Sequence, residues 1–148
     1  MSDRERVVFD TSTLVGAMLR PVSVPRQALF VAVNWYQICV THASLNELHE
    51  VVQRPKFERY LSLSQRLAFV ELVSQYSLIV EVDKQSMQAS ENACRDPKDE
   101  QFLALALSIE AVALVSSDND LLTLHPWKNL AIITPAAFLQ LQSFKTQI

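Results

Sequence analysis

Short apolar runs alternate along the chain with longer stretches whose apolar residues recur every three or four positions. Arg6-Val7-Val8-Phe9-Asp10 is an apolar run ending in an acid and predicts a buried first strand. Gln37-Ile38-Cys39-Val40-Thr41 predicts a second strand and Leu78-Ile79-Val80-Glu81-Val82 a third. Residues 112–115 and 130–133 predict a fourth and a fifth. Helical spacing fills the intervals. Residues 13–19 predict a helix broken by Arg20-Pro21-Val22-Ser23, and residues 24–34 a helix with Pro25 in its first turn. Residues 42–54 carry Leu45, Leu48, Val51 and Val52 on one face, and Pro55 closes them. Residues 57–61 predict a short helix, and residues 64–76 a longer one with Ser64 as its cap. A short helix and loop over 84–94, a helix over 97–109 and a short one over 121–124 follow. The last helix starts at Pro135, capped by Thr134, with Phe138, Leu139 and Leu141 as its apolar side.

Strands alternating with helices predict a three-layer α/β/α sandwich around a central, mostly parallel sheet of about five strands. No linker, repeat or low-complexity stretch interrupts the pattern, so a single domain over 1–148 is expected. In such folds ligands bind beyond the carboxyl ends of the strands.

Composition narrows the chemistry. Gly16 is the only glycine, which excludes both the GxGxxG dinucleotide turn and the Walker phosphate loop. A chain of 148 residues, 49% of them hydrophobic, can fill a core without a disulfide or structural metal. Cys39 lies in an apolar run and reads as a small buried hydrophobe, with no disulfide framework in view. The mixed charges of Met1 to Arg6 do not resemble a signal peptide, and no run reaches the ~20 apolar residues of a membrane span. A cytoplasmic protein with no membrane partner is therefore expected. A net charge of −3 speaks against a general nucleic-acid coat, but not against a nuclease with clustered acids.

Four acids stand where the strand-end rule directs attention. Asp10 ends the first strand, and Asp118 follows the fourth. Glu47 is one turn into the helix after the second strand, and Asp99 lies in the first turn of the helix leading to the fourth. Carboxylates brought together repel one another unless a cation sits among them. Mg²⁺ or Mn²⁺ is the natural partner for oxygen ligands, and the implied chemistry is metal-assisted phosphodiester hydrolysis.

With those residues in view, the sequence resembles the PIN-domain family, and more narrowly its toxins of toxin–antitoxin pairs. Val7-Val8-Phe9-Asp10-Thr11-Ser12 is similar to the family's first-strand motif, and Ser44-Leu45-Asn46-Glu47-Leu48 to its helix glutamate. The stretches from Arg95 to Ala106 and from Leu114 to Leu122 are similar to its third and fourth acidic motifs, and Ile132 to Leu139 also fits. The resemblance implies cleavage of RNA at a Mg²⁺ or Mn²⁺ centre, with Asp10, Glu47, Asp99 and Asp118 as metal-binding catalytic acids. It implies that Ser12 orients a water and that Ser116 supports the Asp118 loop. It further implies a small antitoxin partner and a homodimer. Two positions depart from the family pattern. Ser12 stands where Asn is frequent, and Ile109-Glu110-Ala111-Val112 lacks the glycine often found before the fourth strand.

Simpler roles compete for several of these residues. Ser44 and Glu47 have capping-box spacing. Asp99 would complement a helix dipole, while Asp96 would cap the helix begun by Pro97, with an accessory acidic role second. Asp120 suits a turn, or reach toward a second metal. His42, His49 and His125 lack zinc spacing and read as surface or packing residues. Arg20, Arg26, Arg54, Lys56 and Arg59 would line an RNA path or simply be solvated. Tyr60 would stack a base, whereas Trp35 and Tyr36 at a helix–strand junction suit core packing. Two other functions stay open: a catalytically weak PIN-fold binding module acting through protein or RNA contacts, and a haloacid-dehalogenase phosphatase. The second lacks the required acid at Ser12.

Overall fold

The computed structural model describes residues 4–146. Among them, five strands form one parallel sheet: β1 (Arg6–Phe9), β2 (Gln37–Val40), β3 (Ser77–Ile79), β4 (Ala113–Val115) and β5 (Ile132–Ile133), in the order β3-β2-β1-β4-β5. The connections are helical: α1 (Thr11–Leu19), α2 (Val24–Trp35), α3 (His42–Val52), α4 (Leu63–Tyr76), α5 (Lys84–Ser90), α6 (Glu100–Ser108), α7 (Asn119–Leu122) and α8 (Pro135–Thr146). The expected α/β/α sandwich is thus the observed architecture.

Period-two alternation along the strands makes two cores. Val7 and Phe9 of β1, Ile38 and Val40 of β2 and Val115 of β4 face residues of α1–α4 and α8. Val8, Cys39, Leu114 and Ile132 face the opposite side, covered by Phe102, Leu103 and Leu105 of α6 and Leu121 of α7. Both faces are buried, which is why the strands read as continuous apolar runs. Phe138 of α8 packs its ring edge-to-face on Phe9 at 6.0 Å and against Tyr36 at 4.9 Å. Among the described residues no helix is long and apolar enough to cross a membrane.

Several local expectations shift. β3 ends at Ile79, and Leu78 and Ile79 are each 41% exposed because β3 is an edge strand. Residues 57–61 are not a helix; a 3-10 turn at Pro55–Phe57 stands there instead. Ser62, not Ser64, caps α4, closing a capping box with Gln65. Trp35 is 61% exposed, so only Tyr36 of that pair packs in the core. The helix predicted over 97–109 begins as a 3-10 turn at Pro97–Asp99 and ends in a Schellman motif. In it Ala111 N donates to Ala106 O and Glu110 N to Leu107 O, with Glu110 at φ 52°. Glu110 thus holds the left-handed position that the missing glycine would fill.

Arg66 is fully buried. Its guanidinium donates to the carbonyls of Val52, Arg54 and Leu61, closing the open end of α3 and the loop after it.

Candidate active site at the carboxyl edge of the sheet

β1 lies at the centre of the sheet. The chain leaves it toward β2 and β3, while β4 and β5 stand on its other side. The boundary between β1 and β4 is therefore the topological switch point, the place where sheets of this kind bind ligands. Asp10 follows β1 directly, and Asp118 comes three residues after β4.

Asp10 is almost wholly buried and is the N-cap of α1, its Oδ1 accepting from Thr13 N at 3.0 Å. Ser116 Oγ donates to its Oδ2 at 2.5 Å and accepts from Asp118 N at 2.9 Å. One hydroxyl thus ties the loop after β4 to the end of β1. Ser12 is exposed, with its Oγ 3.4 Å from Asp10 Oδ1. Burial pushes the Asp10 carboxyl above its ordinary range. The hydrogen bonds from Ser116 and Thr13 oppose that rise, and the charge of Asp118 adds to it. Asp118 caps α7, its Oδ1 accepting from Asp120 N at 2.9 Å.

Asp99 ends the 3-10 turn and begins α6, yet its side chain makes no capping bond. Its Oδ2 is buried without a hydrogen-bond partner. Burial, the hydrogen-bonding contact with Asp118 and the charges of Asp118, Asp96 and Asp10 push its pKa up to about 7. Asp96 is exposed and caps the 3-10 turn by accepting from Lys98 N at 3.0 Å, as expected of it. Asp120 contributes its backbone: its carbonyl accepts from Cys94 Sγ at 3.8 Å, packing the loop before Asp99 against α7.

Glu47 has no part in a cap. Thr41 caps α3 and forms its box with Ser44, so Ser44 is the third helical residue and Glu47 lies one turn further on. The rival capping role is thereby removed. The half-buried Glu47 carboxylate accepts from Gln101 Nε2 at 2.5 Å, and the same amide nitrogen donates to Lys98 O at 3.1 Å. Gln101 was not legible as a site residue: its partner is 54 positions away, and nothing in the local pattern marks it.

Asp10, Asp99 and Asp118 therefore act on one another's charge, and Glu47 joins them through Gln101 and the turn bearing Asp99. Among the described residues no three His, Cys, Asp or Glu side chains converge tightly enough to grip a metal ion together. The donors nevertheless suit a hard divalent cation: all are carboxylate oxygens, and one of them is buried with no partner. The histidines stand apart. His42 and His49 are exposed, and His125 accepts from Ile132 N through Nδ1 at 2.9 Å. Of the five cations, Arg26 is engaged, donating to Ala17 O and Met18 O at the end of α1. Arg20, Arg54, Lys56 and Arg59 are exposed.

The PIN-domain family model matches residues 6–120. An uncharacterised protein of Methanocaldococcus jannaschii, MJ1680, is 27% identical over 122 residues, covering 81% of this chain and 75% of that one. The crystal structure of PAE2754 from Pyrobaculum aerophilum superposes with a TM-score of 0.65 at 15% identity, covering 94% of this chain and 90% of that chain. VapBC2 of Rickettsia felis, solved bound to a DNA fragment from its promoter, superposes with a TM-score of 0.63 at 14% identity. That match covers 87% of this chain and 98% of the other. The two structures share the fold of this chain.

Proposed function

The chain belongs to the PIN-domain family, and from that premise we propose that it is a Mg²⁺- or Mn²⁺-dependent endoribonuclease, the toxin of a toxin–antitoxin pair. The observation that carries this reading is that Asp10, Asp99 and Asp118 act on one another's charge at the switch point, where burial first, and contact with Asp118 and the neighbouring acids second, raise Asp99 to about 7. A structural role does not account for a buried carboxylate oxygen left without a partner beside two further acids.

In this reading Asp10, Asp99, Asp118 and Glu47 hold the cation. A cation held there would supply charge neutralisation at the phosphodiester and a stronger water nucleophile. The chain's own groups do the remaining work. Ser116 and the Thr13 amide fix both oxygens of Asp10, so this ligand needs no reordering. Asp99, held near 7, could give up its proton close to neutrality to serve as a ligand. Ser12, exposed beside Asp10, orients water at the rim. Arg20, Arg54, Lys56 and Arg59 attract the RNA backbone.

The antitoxin part of the proposal draws on the VapBC2 neighbour. The apolar furrow between α2 and α4, where Phe30, Leu72 and Tyr76 stand exposed, suits a protein partner, an antitoxin or a second copy of the chain.

Cleavage of a labelled RNA by the purified chain, with Mg²⁺ or Mn²⁺ and with EDTA, tests the activity. Wild type is expected to cut only with metal. Asp10→Asn and Asp99→Asn are each expected to lose more than the ~100-fold typical of outer-shell changes at metal sites. Equal cutting by both variants overturns the centre. Absence of any cutting leaves the weak binding module as the better description.

A further inference from the structure

Gln101 sits at a crossing that no simpler role explains. It lies in the first turn of α6, two residues after Asp99, and its side chain reaches across to α3. A side-chain amide nitrogen carries two protons. Here one goes to Glu47 Oε2 at 2.5 Å and the other to Lys98 O at 3.1 Å. Both donors are thus committed, and the amide cannot rotate without breaking one bond. The Lys98 carbonyl belongs to the 3-10 turn that carries Asp99, so the bridge joins Glu47 to the backbone that places Asp99.

Glu47 needs such a bridge. Glutamate is among the side chains with most rotamer freedom to lose on ordering. Asp10 is fixed by a serine hydroxyl and a backbone amide, and Asp118 by its capping bond. Among the described residues, the bond that holds the Glu47 carboxylate is the one from Gln101. An amide also orients a carboxylate without adding a charge that would compete with a cation. Lysine or arginine at the same place would neutralise the ligand it positioned.

We propose that Gln101 is a positioning residue that fixes Glu47 relative to Asp99 for cation binding. The role rests on the metal-centre reading above, because it acts on one of that centre's ligands.

Titration of Mn²⁺ into the full chain, with free Mn²⁺ followed by its paramagnetic resonance signal, tests the role without any nuclease assay. Four proteins are compared: wild type, Gln101→Ala, Glu47→Ala and the double variant. Alanine is a strong helix former, and a melting curve for each variant confirms folding. Gln101→Ala is expected to raise the Mn²⁺ dissociation constant about tenfold, the lower end of outer-shell effects. In the Glu47→Ala background the same change is expected to add less than twofold, because its target is gone. A dissociation constant within twofold of wild type for Gln101→Ala overturns the role. So does an undiminished effect in the Glu47→Ala background, which would mark a general structural contribution. If wild type fails to bind Mn²⁺, or Asp10→Asn binds it as wild type does, the metal centre itself fails and this role falls with it.

Discussion

The two flanks of the acidic cluster are held in different ways. On the β1–β4 flank both oxygens of Asp10 have donors, and Ser116 links that carboxylate to the Asp118 amide. On the α6 flank Asp99 has a buried oxygen with no donor, and its nearby charges are like charges. The first flank is satisfied as it stands; the second is satisfied only by a proton or a cation. Rigidity and receptiveness are thus divided between two walls of one acidic cluster, and each can be perturbed separately.

Ser116→Ala strikes the rigid wall. It strips a buried carboxylate of one donor and the Asp118 amide of its acceptor, at a cost of about 1–3 kcal/mol in stability. Chemical denaturation should show that loss, and RNA cleavage should fall by roughly 10–100-fold as well. A variant as stable and as active as wild type would mean the hydroxyl bridge is incidental.

Asp99→Asn probes the receptive wall. An acid with a pKa of about 7 when folded, against an ordinary 3.8, binds its proton more tightly in the folded chain. Between those values the unfolded state holds fewer protons, so stability falls as pH rises through that window. Asp10, also raised, adds a loss of the same sign. Melting curves in EDTA should therefore show wild type losing stability from about pH 4 to pH 7, with Asp99→Asn showing a shallower slope and a higher melting temperature at pH 8. Parallel slopes would show that Asp99 carries no such strain.

Glu110→Gly is the smallest change and lies outside both walls. It relieves the left-handed backbone at the end of α6 and should stabilise the chain by about 1 kcal/mol while leaving cleavage unaltered. An altered cleavage rate would mean that stability at α6 feeds directly into the site, and the contrast between the walls would lose its meaning.

Asp10 and Asp118 could be placed from sequence because Val7-Val8-Phe9 and Ala113-Leu114-Val115 are buried on both faces and spell out where their strands end. Asp96 and Thr134 were legible as caps because a proline follows each. Ser44 and Ser64 misled because a second hydroxyl stood two or three residues earlier, and only the backbone decides which one faces the free amides. The exposure of β3 depends on strand order, which no single strand encodes. Trp35 looked like core because its neighbour is core, yet the last turn of α2 carries it outward. Gln101 and Arg66 were invisible for a common reason: each is defined by acceptors that only the folded chain assembles.

Arg66 bears on the way this surface would meet the RNA of the proposed function. Its guanidinium grips carbonyls at both ends of the segment from Val52 to Leu61, so the intervening chain is staked down from beneath. Arg54, Lys56 and Arg59 are thereby mounted on a stiff spur rather than strung along a slack tether. If the proposed function holds, a strand of RNA arriving there would meet cationic posts whose backbone spacing is already set, and little freedom of the main chain would be surrendered at the moment of capture.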